Sequence, residues 1–173
     1  EGNESSAEIA SLGENLIISG NFFGQMFLDG INVSSLTLGS FMLSAGFVGS
    51  YSVMEDPPSW NWVRTVGGSN DSGPTSGRFT MVEFNSLPWT PPWELTDVVI
   101  GPDGSIHVAG EYRLDTQLDS LTLPSTDVIW VDAFVAQLSS DGDWQNVMSV
   151  GGMGPDGMTR IGVINSEVRV GFD

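Results

Sequence analysis

The sequence predicts an all-β protein made of repeated antiparallel meanders, and three observations lead there. Apolar and polar residues alternate in short runs bounded by Gly, Pro, Asn, Asp and Ser, which is the two-residue period of half-buried strands. Asp-Gly pairs punctuate the runs at Asp103-Gly104 and Asp141-Gly142, where glycine supplies the positive φ of hairpin turns. The chain also matches itself, segment by segment and in the same order. No stretch carries a helical period of useful length.

The internal match has three parts. Glu14-Asn15-Leu16-Ile17-Ile18-Ser19-Gly20-Asn21-Phe22 aligns with Gly104-Ser105-Ile106-His107-Val108-Ala109-Gly110-Glu111-Tyr112. Each is a turn, an apolar strand, then Gly, a polar residue and an aromatic. Ala45-Gly46-Phe47-Val48-Gly49-Ser50-Tyr51 aligns with Asp132-Ala133-Phe134-Val135-Ala136-Gln137-Leu138. Trp60 through Gly67-Gly68 aligns with Trp144 through Gly151-Gly152. A third copy starts at Arg160-Ile161-Gly162-Val163 and continues through Val168-Arg169-Val170. The organisation expected is a first repeat over 1–68, an inserted Pro/Trp-rich loop over 69–94, a second repeat over 95–155 and a truncated third over 156–173. In the second copy the strands fall near 95–100, 105–112, 116–122, 131–138 and 144–150. Four or five antiparallel strands per unit is the size of a β-propeller blade, so two blades and the start of a third are expected, a partial ring.

Composition bounds the partners. The chain has 173 residues, 22 Asp and Glu against 5 Lys and Arg, and a net charge of -17. All its cations are arginines. Nucleic-acid binding depends on cations that neutralise phosphates, so nucleic acid is not an expected partner. No run approaches the roughly 18 apolar residues of a membrane-spanning helix, so the chain is not expected to be membrane-embedded. The absence of cysteine removes disulfides, thiolate metal sites and a cysteine nucleophile. A first residue of Glu1 rather than Met fits a leader that was removed or never included.

The order of these signatures resembles the SBBP-type β-propeller repeat of exported bacterial and archaeal proteins. The second copy carries the pattern best, in Asp97, Pro102-Asp103-Gly104, Val108-Ala109-Gly110, Asp132-Ala133-Phe134-Val135, Ser140-Asp141-Gly142, Trp144 and Gly151-Gly152. The first copy departs from it at Ala45-Gly46 and at Met54-Glu55-Asp56-Pro57-Pro58-Ser59. The resemblance implies an extracellular or cell-surface scaffold of several blades, without catalysis of its own, whose partners are neighbouring repeats of the same protein. It supplies no catalytic residues.

Candidate sites are few. Gly67-Gly68 and Gly151-Gly152 lack the following helix of a phosphate loop and read as turns between units. Trp60 and Trp144 occupy matched positions, as do Phe47 and Phe134, which points to packing. The insertion holds Phe79 to Phe84, a possible extra strand, and then Trp89 and Trp93 among prolines. Long loops on repeat scaffolds often carry binding, so Trp89 and Trp93, with the unmatched Trp62, are the ligand-binding candidates, for carbohydrate or protein. Asp103, Asp141 and Asp143 sit in turns and are the calcium candidates, against the simpler reading of turn-forming Asp. No cofactor is otherwise expected. His107 is the sole histidine and reads as a strand residue. The function expected is a non-catalytic structural or interaction module. The alternatives are a carbohydrate-active propeller whose carboxylates converge in a complete ring, and a calcium-stabilised adhesin module.

Overall fold

A computed structural model describes residues 4–35, 37–38, 41–42, 44–70, 93–112, 116–124, 131–152 and 156–172. Among these residues every regular element is a strand and every pairing is antiparallel. The first sheet holds β1 (Glu4–Leu12) and β2 (Asn15–Phe23), followed by an inserted hairpin of β3 (Gln25–Leu28) and β4 (Ile31–Ser35). The short pair β5 (Thr37–Leu38) and β6 (Phe41–Met42) comes next, then β7 (Ser44–Ser52) and β8 (Ser59–Val66). The sheet order is β1-β2-β7-β8, and β9 (Gly68–Asn70) adds to β4 of the inserted hairpin.

The second sheet repeats this plan. Strands β10 (Trp93–Ile100) and β11 (Ile106–Tyr112) precede an inserted hairpin, β12 (Thr116–Leu118) and β13 (Leu121–Leu123). Strands β14 (Asp132–Leu138) and β15 (Trp144–Val150) complete the order β10-β11-β14-β15. A third pair, β16 (Met158–Ile164) and β17 (Glu167–Phe172), begins the plan again. The all-β, antiparallel architecture is therefore as composition and periodicity predict.

Local chemistry explains the reversals. Asp29 and Gly30 take φ of 43° and 90°, the double positive φ of a tight hairpin whose twist matches its strands. Asn165 and Ser166 do the same at 52° and 63° between β16 and β17. The single strand expected near 116–122 is two strands, because Asp119 turns the chain at φ 54°. Aspartate tolerates that conformation through its short polar side chain, so no glycine marks the turn.

The registers of the two sheets coincide residue by residue. Gly20 faces Phe47 across β2 and β7, and Gly110 faces Phe134 across β11 and β14. Trp60 faces Tyr51 and Trp144 faces Leu138, each beside a register shift at the same place. The first strands are also irregular alike, with shifts between Ser5 and Glu8, Leu95 and Asp97, and Met158 and Arg160. Edge-on aromatic pairs recur too: Phe22 with Phe47 at 6.3 Å, and Tyr112 with Phe134 at 6.0 Å.

Residues directly opposite each other across a strand pair share one face of the sheet, and this fixes the stacking. Ile17, Val48 and Val66 lie on one face of the first sheet. They form one buried cluster with Val98, Val108, Phe134 and Leu138, which share the opposite face of the second sheet. The second sheet then offers Ala109, Ala133 and Val135 to Ile161 and Val170 of β16 and β17. The second unit thus packs its aromatic-bearing face onto the aliphatic face of the first, and β16 and β17 lay the equivalent face, through Ile161 and Val170, on the second. On the first unit's own aromatic face, Met26 and Val33 of the inserted hairpin cover Phe22, Phe47 and Val63.

Exposure follows the stacking. Ile9 and Val98 hold the same place, opposite Ile18 and Val108. Val98, covered by the first unit, is 5% exposed, and Ile9 is 60% exposed.

Candidate functional site

The side chains with the most specific geometry lie where units meet. Asn21, buried on β2, donates from Nδ2 to the Leu95 carbonyl at 3.0 Å and accepts the Leu95 amide at 2.7 Å. Its amide thereby imitates a strand partner and satisfies both backbone groups of Leu95, just before the irregularity in β10. Asp97, the residue after that irregularity, accepts its neighbour Val98 N–H at 2.9 Å and Ile161 N–H of β16 at 3.0 Å. A buried carboxylate is tolerated because two amides serve it. One polar side chain therefore fastens the first strand of each later unit to the unit before it.

On β8, Trp62 reaches the turn between β14 and β15. Its indole N–H donates to the Ser140 carbonyl at 3.0 Å, and a Cβ on Gly142 would lie 2.5 Å from its Cδ2. Gly142 also holds φ 83°, so the close approach and the backbone both require glycine. Arg64 lies over the same indole, 5.8 Å from the ring centroid, and its guanidinium is 3.7 Å from Asp143. Finally, Arg160 of β16 meets Glu8 of β1 at 3.4 Å. These two residues belong to the first and third units.

Within the second unit a polar trio surrounds one turn. Asp103 Oδ1 accepts the Ser105 hydroxyl at 2.5 Å and the Ser105 amide at 3.0 Å, while Ser105 Oγ lies 2.8 Å from His107 Nε2. With the hydroxyl proton committed to the carboxylate, the third contact is filled by an Nε2–H donor. An activated serine needs the reverse arrangement, its proton aimed at the imidazole. The trio is a lock on the β10–β11 turn. The Ser105 hydroxyl and then its amide hold the Asp103 carboxyl below its ordinary value of 3.8. Burial holds His107 below its ordinary 6.5, and the Asp103 carboxylate partly opposes that shift.

Trp62 is engaged by the next unit's turn through its indole N–H and ring. Trp93 opens β10, opposite Tyr112 in the register. Trp89 and the expected extra strand over 79–84 lie outside the described residues. Asp103 is committed to Ser105, Asp143 pairs with Arg64, and Asp141 shares the exposed turn with Asp143. Among the described residues no three His, Cys, Asp or Glu side chains gather as a metal site.

Sequence reasoning missed the fastening roles of Asn21 and Asp97, and Ser105 in the trio. The Asp103-Gly104-Ser105 turn, in which an Asp side chain bonds the backbone two residues on, was the available signal for the Asp103–Ser105 half of the trio. No family model matches the chain, and neither does any curated protein or solved structure.

Proposed function

We propose that this chain is a stretch of a β-propeller-type repeat scaffold of the SBBP kind, acting as a non-catalytic interaction module of an exported or cell-surface protein. The observation that carries the scaffold part of the reading is the Glu8–Arg160 contact between the first and third units. Packed sheets lie about 10 Å apart, so flat stacking would separate the first and third sheets by about 20 Å. A contact across the second unit supports sheets that converge along their first strands, as blades do around an axis. The common register of the two four-stranded sheets and their like-to-unlike face packing support the same reading.

On this reading the scaffold holds binding loops at its surface, and the insertion over 69–94 is the contact surface, with Trp89 and Trp93 stacking on sugar rings or on a protein ligand. A panel of polysaccharides and immobilised glycans incubated with the protein tests it. We expect no turnover, and retention on at least one immobilised ligand that is lost when Trp89 and Trp93 are both changed to Ala. Product release from any polysaccharide would replace the module by the enzyme reading.

A further inference from the structure

The inserted hairpin of the first unit has an outward face that the stacking does not use. Its inward residues, Met26 and Val33, are paired in register and are 6% and 0% exposed against the Phe22 cluster. Side chains alternate across a strand, so the next pair, Phe27 and Asn32, stands on the opposite face. Phe27 is 71% exposed there. Asn32 opens Asn32-Val33-Ser34, one of three Asn-x-Ser sequences in the chain, with those at Asn3 and Asn70. Asn-x-Ser is the acceptor sequence of N-linked glycans. Of the three, Asn32-Val33-Ser34 is the one that falls wholly within the described residues.

The local geometry suits a glycan. Because β4 is extended, Asn32 and Ser34 share the outward face, with the hydroxyl two residues on from the carboxamide. The Asn32 carboxamide turns its oxygen inward, where it makes no hydrogen bond, so its nitrogen is the end left toward solvent. Asn21, by contrast, commits both ends of its amide to Leu95. The tight turn at Asp29 and Gly30 holds Phe27 and Asn32 directly opposite each other. Residues so placed have Cβ atoms about 5 Å apart. A pyranose joined to Asn32 therefore reaches the Phe27 ring, which would lose its contact with water against the C–H side of the sugar.

We propose that Asn32 carries an N-linked glycan whose first sugar rests on Phe27. The donor is an oligosaccharide held through phosphate on a lipid carrier. Asn32 Nδ2 attacks the anomeric carbon: the Nδ2–C1 bond forms and the C1–O bond to the phosphate breaks. The carrier phosphate leaves with that bonding pair, and one amide proton is lost. Ser34 supplies the hydroxyl that completes the acceptor sequence. The proposal rests on the exported reading, because Asn-x-Ser is glycosylated in secreted chains.

The test secretes the full chain, behind an export signal, from a eukaryotic host that N-glycosylates its secreted proteins. Cleavage before Asp isolates residues 29–55, in which Asn32 is the sole asparagine. Mass spectrometry of that peptide is expected to show added hexosamine and hexose, and Ser34→Ala is expected to leave it bare. Secreted protein bare at Asn32, or with sugar confined to Asn3 or Asn70, would overturn the site. The secreted chain should also unfold at a higher temperature than the same chain made without glycan, and Phe27→Ala should narrow that gap. A gap that Phe27→Ala leaves unchanged would overturn the sugar's seat on the ring. Because the host supplies the export, either failure leaves the scaffold reading standing.

Discussion

Glu8 and Arg160 occupy the same place in the first strands of the first and third units, and their side chains meet at 3.4 Å although the second unit lies between. Asp97 holds that place in the second unit, where its carboxylate takes the Ile161 amide. The first strand of the second unit thus lies against the first strands of both its neighbours, and the Glu8–Arg160 pair bridges the outer two across it. Both ends of the Glu8–Arg160 pair are solvent-exposed, so it contributes little stability, and its value lies in the geometry it records.

Stability should depend instead on the buried fasteners. Asn21→Ala removes the partner of both backbone groups of Leu95 and should cost about 2–4 kcal/mol. Asp97→Ala leaves the Ile161 amide buried without an acceptor and should cost about 1–3 kcal/mol. Urea unfolding measures both. In Asp97→Ala, amide exchange at Ile161 should speed up more than exchange within β2 or β7. Equal acceleration everywhere would show that Asp97 acts on the whole fold and not on that junction.

Gly151 and Asp132 form a second dependent pair. A Cβ on Gly151 would fall 2.0 Å from Asp132 Oδ1, so the buried carboxylate occupies the space a side chain would need. Gly151→Ala should destabilise the protein by about 1–3 kcal/mol through overpacking. The same change beside Asp132→Ala should cost less, because the carboxyl contacts at 2.0 and 2.5 Å are removed and only the Cβ at 2.9 Å remains. A double-mutant cycle reads the coupling, and additive costs would contradict the contact.

The pH dependence has a definite sign. His107 is held below its ordinary 6.5 chiefly by burial, so the unfolded chain takes up its proton first as pH falls. Stability should therefore decline as pH drops from 7 through 6.5 and level off once the folded imidazole is also protonated. Asp103, held below 3.8 by its Ser105 bonds, contributes stability above that value, which is lost as pH falls through the lowered one. Urea midpoints at pH 7.5 and 5.5 should differ less in His107→Gln than in the native sequence. An unchanged difference would assign the decline to other groups.

Much of this architecture was legible in the sequence because repeats turn weak local signals into matched pairs. Gly20 with Phe47 and Gly110 with Phe134 are modest cues singly, yet their recurrence located the second and third strands of both sheets. Trp60 and Trp144 located the fourth. The hairpin at Asp119 escaped because its turn carries no glycine, leaving Leu118 and Leu121 to read as one strand. Asn21 and Asp97 escaped for a different reason. Their partners lie 74 and 64 residues away and are backbone groups, which any residue supplies, so no side-chain pattern marks them. The same holds for Trp62, whose partners are a carbonyl and a glycine in the next unit's turn.

The convergence of the units can be measured directly, because the chain contains no cysteine and two introduced thiols would be its only ones. With Glu8→Cys and Arg160→Cys, both at exposed positions, a bismaleimide of roughly 10 Å reach should give an intramolecular cross-link in the monomer, read by mass spectrometry. That reach is about one sheet spacing, half the separation of first and third sheets in a flat stack. Efficient cross-linking is the result predicted for units gathered around their first strands. A monomer that stays uncross-linked while both thiols react singly would contradict it and favour a flat, open array of sheets.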